Sequence, residues 1–280
     1  MAAYAYRIVN VFAREGRLTG NPLCVFEDGS AFDDATMKAV ARQFNLSETT
    51  FILPSSTADA RVRIFTPAYE MPFAGHPTLG TAHVVRALGA GDALRLEMKA
   101  GVIPVRAEGD RWTLQANEPK WREPEASRAE LAALVGLQEG DLAGRALWVS
   151  TGNEQLILPV RDADAVRRAR PDAGRFARLG GPDNPGKALV FADAGDAAGT
   201  VEARFFFPSG AAILEDPATG SACANLGGWF RAMRPGADLQ RVVSQGEAVQ
   251  RPSTLHLAVR GGSIFVGGRV IELGRGTIEL

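Results

Sequence analysis

"FTPAYEMPFAGHPTLGTA", Phe65 to Ala82, has a partner further along the chain in "FFPSGAAILEDPATGSA", Phe206 to Ala222. Both read Phe-x-Pro, a short loop, a His or Asp, then Pro-x-x-Gly, a hydroxyl residue and Ala. Aligned on these residues, Pro77 falls against Pro217, Gly80 against Gly220, Thr81 against Ser221 and His76 against Asp216, an offset of 140 residues. A second pair, "TGNPLCVF" from Thr19 and "TGNEQLIL" from Thr151, keeps the same order at an offset of 132. Two matches in one order and at similar spacing point to an internal duplication of about half the 280-residue chain.

Between the copies lies "NEPKWREPEAS", Asn117 to Ser127, polar and carrying two prolines, which reads as a linker. The expected division is therefore a first domain over 1–117, a linker over 118–128 and a second domain over 129–274. Short β-branched runs such as "YRIVNVF", "TFILP", "ARVRIFT", "QLILPV" and "ARFFF" recur in both halves and predict mostly antiparallel strands. The two segments after the repeated prolines, "TLGTAHVVRAL" and "TGSACANLGGWF", are small and apolar on nearly every face, as enclosed helices are. The expected fold is α+β: two pseudo-symmetric domains, each a barrel-like, mostly antiparallel sheet around a central helix.

With 46% hydrophobic and 22% charged residues and a formal net charge of -1, nothing favours nucleic acid or an anionic membrane as a partner. The first residues carry Arg7 and Arg14 among apolar positions and lack a signal peptide's apolar core, so a cytoplasmic location is expected. No apolar stretch approaches the roughly 18 residues that span a bilayer. Two cysteines, Cys24 and Cys223, are too few for a disulfide framework and read as reduced thiols. His76, His83 and His256 are too scattered for a metal cluster, and no Cys-x-x-Cys, Gly-x-Gly-x-x-Gly or Walker loop occurs. An enzyme without metal or cofactor is expected.

Proline favours the first helical position, which predicts His76 and Asp216 as the caps of the two repeated helices. Aspartate is a good cap, so capping accounts for Asp216 as readily as chemistry does. Histidine is a poor one, and its presence asks for another reason. Helix starts leave N–H groups unpaired and carry partial positive charge, a receptor for a carboxylate. A small carboxylic acid held between two such starts would sit beside His76, Asp216, Thr81 and Ser221. Thr81 is expected to bond within its own first turn, and Ser221 either does the same or touches the ligand. His83, seven residues after His76, reads as core.

Proton transfer needs a positioned base, and Glu48, Glu70 and Glu215 lie nearest the repeated motifs. Glu48 stands in "FNLSETTFILP" between a helix and an apolar strand, where desolvation raises a carboxyl toward the range of a general base. The competing reading is a satisfied turn made with Ser47 and Thr50. Glu70 and Glu215 read as solvated loop residues. The second half has no copy of "NLSE", so a duplicated scaffold would carry one base.

Together "GNPLCVF", "FNLSETTF", "RIFTPAYEMPFAGHPTLGTAHVV" and "EDPATGSACANL", followed by "VGGRVIELGRG", resemble the PhzF-like (phenazine biosynthesis PhzF) isomerase family over nearly the whole chain. The resemblance implies the diaminopimelate epimerase-like fold, with an active site between two similar domains and cofactor-free acid–base isomerisation. It carries a catalytic glutamate onto Glu48, a histidine onto His76, an aspartate onto Asp216 and a serine onto Ser221. Backbone amides around Gly75 and Gly220, with Ser221, would hold the substrate carboxylate. A homodimer and the return of the last strand, 275–280, to the first domain are implied by the resemblance alone. Related epimerases and racemases of this fold use two opposed thiols. In this chain those places read Ala74-Gly75-His76 and Pro217-Ala218-Thr219-Gly220, so a two-thiol racemase is disfavoured.

The leading expectation is thus an isomerase that shifts a proton on a small carboxylate. An epimerase using Glu48 and His76 as opposed acid and base, and a non-catalytic carboxylate-binding protein, remain as alternatives.

Overall fold

The computed structural model describes residues 2–179 and 186–280, in two compact units: 1–115 with 267–280, and 116–266. The first unit runs β1 (Ala3–Val11), β2 (Asn21–Phe26), α1 (Asp34–Phe44), β3 (Thr49–Leu53), β4 (Ala60–Phe65), β5 (Glu70–Met71), α2 (Gly75–Ala87), β6 (Ala93–Met98), β7 (Gly101–Glu108) and β8 (Arg111–Gln115). The chain's last strand, Ser263–Glu279, supplies its remaining stave. That strand pairs antiparallel with β1, and β1 with β2. β2 joins β3 in parallel, β3 joins β4 antiparallel, and β4 joins β6 in parallel. Antiparallel pairs β6–β7 and β7–β8 follow, and β8 returns to the last strand, closing an eight-stranded barrel.

Helix α2 contacts β1, β2, β3, β4, β6 and β8, so it runs inside this barrel. Its buried residues include Gly75 to Ala82 without a gap, the all-round burial that its small, apolar sequence requires. At Gly80 a Cβ would come within 2.6 Å of Leu23 Cδ2 and 2.9 Å of Val11 Cγ2, so glycine lets the helix lie directly on the strands. Outside, α1 is capped by the Asp33 side chain accepting from Thr36 N and ends at Asn45 with φ 52. It presses Met37, Val40 and Ala41 onto Phe26, Phe32 and Phe51. β2 is covered on both faces, which is why five of its six residues are buried.

The second unit runs β9 (Lys120–Arg122), α3 (Arg128–Leu134), β10 (Leu147–Ser150), β11 (Glu154–Pro159), α4 (Ala163–Arg168), α5 (Ala173–Leu179), β12 (Ala188–Asp193), β13 (Thr200–Ser209), β14 (Ala212–Asp216), α6 (Gly220–Met233), β15 (Leu239–Gln245) and β16 (Ser253–Arg260), with the start of β17 (Ser263–Glu279). Its pairings repeat those of the first unit in order. β9–β10 and β10–β11 are antiparallel, β11–β12 parallel, β12–β13 antiparallel, β13–β15 parallel and β15–β16 antiparallel. β14 hangs on β13 as β5 hangs on β4, each just before the enclosed helix. Helix α6 takes the place of α2, buried from Ala222 to Gly228. α3, α4 and α5 pack Leu131, Val166 and Phe176 into a separate outer cluster.

The units divide elsewhere than the composition suggests. Lys120–Arg122, inside the expected linker 118–128, is strand β9, paired with β10. The second unit ends at Val266 rather than 274, and the return to the first unit begins at Gly267 rather than 275. β1 pairs along its whole length with Val270–Glu279, and a return of only six residues would leave its buried end, Val9–Val11, paired with β2 alone and open on its other edge. Among the described residues no helix is long and apolar enough to cross a membrane.

Candidate functional site

Glu48 occupies the turn between α1 and β3, and His76 is the second residue of α2. The side chains are 15% and 6% exposed, and Glu48 Oε2 lies 3.5 Å from His76 Nδ1. That spacing sits at the outer edge of hydrogen bonding. Burial pushes the Glu48 carboxyl up to about 7, against a smaller opposing effect of a Ser47 hydrogen bond. Ser47 Oγ also donates to Asn21 Oδ1 at 3.4 Å, which sets the repeated "TGN" segment beside this turn. Next to Glu48, buried Thr50 and Thr81 share a 2.8 Å hydroxyl–hydroxyl bond. Thr81 was expected to bond within its own helical turn. It ties α2 to β3 instead, because it lies on the second turn and faces the barrel wall.

The expected caps are also displaced. Ala74 is the cap of α2 and Thr219 that of α6, neither making a side-chain cap bond. His76 therefore sits inside its helix, with Pro77 at the third position, where its missing N–H is still one the helix leaves unpaired. Asp216 is the last residue of β14. Its Oδ2 accepts from Thr219 Oγ1 at 2.5 Å, so the cap hydroxyl is already committed.

Glu70 and Glu215 are not solvated. Arg63 grips Glu70 through Nε at 2.8 Å and Nη2 at 2.7 Å, with Lys99 at 2.6 Å. Arg63 holds Glu70's carboxyl below its usual range, with Lys99 adding to the effect. Arg204 grips Glu215 at 3.1 and 2.6 Å. Each guanidinium also stacks near a phenyl ring, Arg63 5.0 Å from Phe65 and Arg204 4.9 Å from Phe206. These twin ion pairs pin β5 and β14 to their neighbours and are structural. The arginines are 141 apart, and the longer hairpin between β13 and β14 adds four residues before the helix. Glu70 and Glu215, the caps Ala74 and Thr219, and the first helical residues Gly75 and Gly220 are each 145 apart. On that register His76 stands opposite Ser221, and Asp216 opposite Met71, in place of the pairing at 140.

In the second unit the Asp216–Thr219 loop is clamped from behind. Gln245, 2% exposed, donates from Nε2 to Asp216 O at 2.8 Å and to Thr219 Oγ1 at 3.1 Å, and accepts from Thr219 N at 3.3 Å. Gly246, at φ 86, leaves room for Pro217 O, which would lie 2.5 Å from a Cβ there. Ser221, one residue into α6 from Gly220, accepts from Gln155 Nε2 at 3.0 Å. Gln155, Asn225 and Gln245 were not singled out by sequence reasoning. Gln155 does fall within the repeated "TGNEQ" run, the one signal that pointed toward it.

Cys24 and Cys223 are buried and unpaired, their thiol pKa values pushed up by burial, as suits small hydrophobes rather than nucleophiles. His83 is half-buried, and burial lowers its pKa. No cluster of three or more metal-ligating side chains occurs among the described residues.

Two units that each wind a mostly antiparallel sheet around one enclosed helix define the diaminopimelate epimerase-like class of fold. The model of the PhzC-PhzF family, phenazine biosynthesis-like proteins, matches residues 9–270. The chain belongs to that family. It is 37% identical over 285 residues to an uncharacterised isomerase of Pasteurella multocida, covering 99% of this chain and 95% of the relative. It is 34% identical over 266 residues to the trans-2,3-dihydro-3-hydroxyanthranilate isomerase of Pseudomonas aeruginosa, covering 92% and 91%. The crystal structure of a PhzF-family protein from Bacillus anthracis shares the fold, with a TM-score of 0.88, 24% identity and full coverage of both chains.

Proposed function

We propose that this chain is a cofactor-independent isomerase that moves a proton on a small carboxylic acid, with Glu48 as the base. One observation carries the reading: a buried carboxyl held near pH 7, 3.5 Å from an imidazole at the start of an enclosed helix. Near neutrality such a group accepts a proton as readily as it gives one back, which a proton shift demands of a single residue. Glu48 removes a proton from an acidic C–H. The electron pair spreads into the conjugated system, and protonated Glu48 returns the proton at another carbon, leaving an isomer. His76, facing Glu48 through Nδ1, orients it and steadies its charge. By the family resemblance, Asp216 is assigned to the substrate's polar groups, and the amides of Gly75 and Gly220 with Ser221 to its carboxylate.

The geometry weighs against Glu48 and His76 as opposed acid and base in an epimerase. Groups 3.5 Å apart leave no room for a substrate carbon between them.

The substrate of the Pseudomonas aeruginosa relative, trans-2,3-dihydro-3-hydroxyanthranilate, is the compound to try first. Conversion in deuterium oxide, followed by proton NMR, separates the readings. Label at a new carbon supports the shift, and label only at the original stereocentre supports epimerisation. Conversion that is unchanged in Glu48→Gln overturns Glu48 as the base, and binding without any conversion leaves a carboxylate-binding protein.

A further inference from the structure

Behind the start of α6 runs a chain of buried amides whose polarity is fixed by the backbone. Asn225, fully buried, lies one turn after Ser221 on the same helix. Its Oδ1 accepts from Thr151 N at 2.8 Å and from Thr151 Oγ1 at 2.9 Å. Its Nδ2 donates to Asn153 O at 2.8 Å. A backbone N–H can only donate and a backbone carbonyl can only accept, so these two contacts leave one orientation for the Asn225 amide.

That orientation propagates. Asn225 Nδ2 also donates to Gln155 Oε1 at 2.8 Å, which fixes the Gln155 amide in turn, and Gln155 is 1% exposed. Gln155 then has only its Nε2 to offer Ser221, and the 3.0 Å contact makes Ser221 Oγ the acceptor. With a lone pair engaged from behind, the serine's own hydrogen is left to point elsewhere.

We infer that Gln155 is a positioning residue: through the Thr151–Asn225–Gln155 relay it occupies one lone pair of Ser221 Oγ from behind and so keeps the serine's hydrogen free to be donated to the substrate carboxylate. The inference rests on the proposed role of Ser221 in holding that carboxylate. A carboxylate accepts and never donates, so a serine free to present its oxygen would bind it less well. The relay narrows that freedom before the substrate arrives, by excluding the rotamer that spends the hydrogen on Gln155.

The test is a double-mutant cycle read by calorimetric binding of trans-2,3-dihydro-3-hydroxyanthranilate to the full chain carrying Glu48→Gln, with thermal unfolding as a folding check. Ser221→Ala should weaken binding about tenfold, the loss of one charge-assisted hydrogen bond. Gln155→Met, similar in volume but with no donor, should weaken it about threefold or more. The pair together should bind no more weakly than Ser221→Ala alone. In the catalytically intact protein, Gln155→Met should raise KM while leaving kcat within twofold. An effect of Gln155→Met that persists undiminished without Ser221, or unchanged affinity in Gln155→Met beside a clear loss in Ser221→Ala, overturns the inference and leaves the carboxylate reading standing. Unchanged affinity in Ser221→Ala overturns both. If Gln155→Met does not fold, Gln155→Glu replaces it. A carboxylate there draws the serine hydrogen inward, and unchanged affinity overturns the inference.

Discussion

The Glu48 carboxylate and the His76 imidazole approach to 3.5 Å although 28 positions separate them in the chain. The barrel makes the meeting: Glu48 leads into β3 on the wall, and His76 lies in the first turn of the helix that the wall encloses. Thr50 and Thr81 bond at 2.8 Å just beyond, holding the helix start in register with the strand.

The rate should follow the ionisation of Glu48. A base must be deprotonated in the free enzyme, and burial raises this carboxyl to about 7. The kcat/KM is expected to climb about tenfold per pH unit below that value and to level above it, as measured by a pH–rate profile. Glu48→Gln should lower kcat/KM by at least about 10²-fold and abolish this limb.

Stability should move the other way. The carboxyl is near its ordinary value of 4.5 in the unfolded chain and about 7 in the fold, so the native state binds the proton more tightly. Stability is therefore lost as pH rises between those two values, and an ionised buried carboxylate weighs on the fold above them. Glu48→Gln is expected to leave stability nearly unchanged at pH 4 and to increase it by about 3 kcal/mol at pH 8. Urea unfolding at the two pH values checks it, and an equal effect at both would contradict the raised carboxyl.

Gly246→Ala should damage the loop that carries Asp216. The residue sits at φ 86, and a Cβ would press on backbone oxygens of Arg251 and Pro217, which cannot turn aside as a side-chain end can. A loss of about 3 kcal/mol is expected from left-handed strain and overpacking together. Thermal unfolding measures the loss. Conversion should fall further than the unfolded fraction explains, because Gln245 and Pro217 hold Asp216 from either side of the same clamp.

The sequence by itself determined the duplication, the two enclosed helices and the desolvated setting of Glu48. Each is a local property: a repeated string, an all-round apolar helix, a carboxylate set against apolar neighbours. The tertiary structure decided what depends on pairing between distant segments. It showed that "KWR" is a strand because β10 needs an edge partner, and that the last strand returns from Gly267 because β1 needs one along its full length. It also moved the repeat from 140 to 145. Prolines and glycines had set the sequence alignment, but the helix caps Ala74 and Thr219 and the first helical residues Gly75 and Gly220 are 145 apart, which aligns His76 with Ser221 in the repeat. Glu70 and Glu215 read as loop carboxylates in the sequence because their arginines lie 7 and 11 residues away, on the far strand of a hairpin. That Ser221 accepts from Gln155 lay beyond any local reading, since the polarity of that contact is set by a backbone N–H and a backbone carbonyl more than 65 residues upstream.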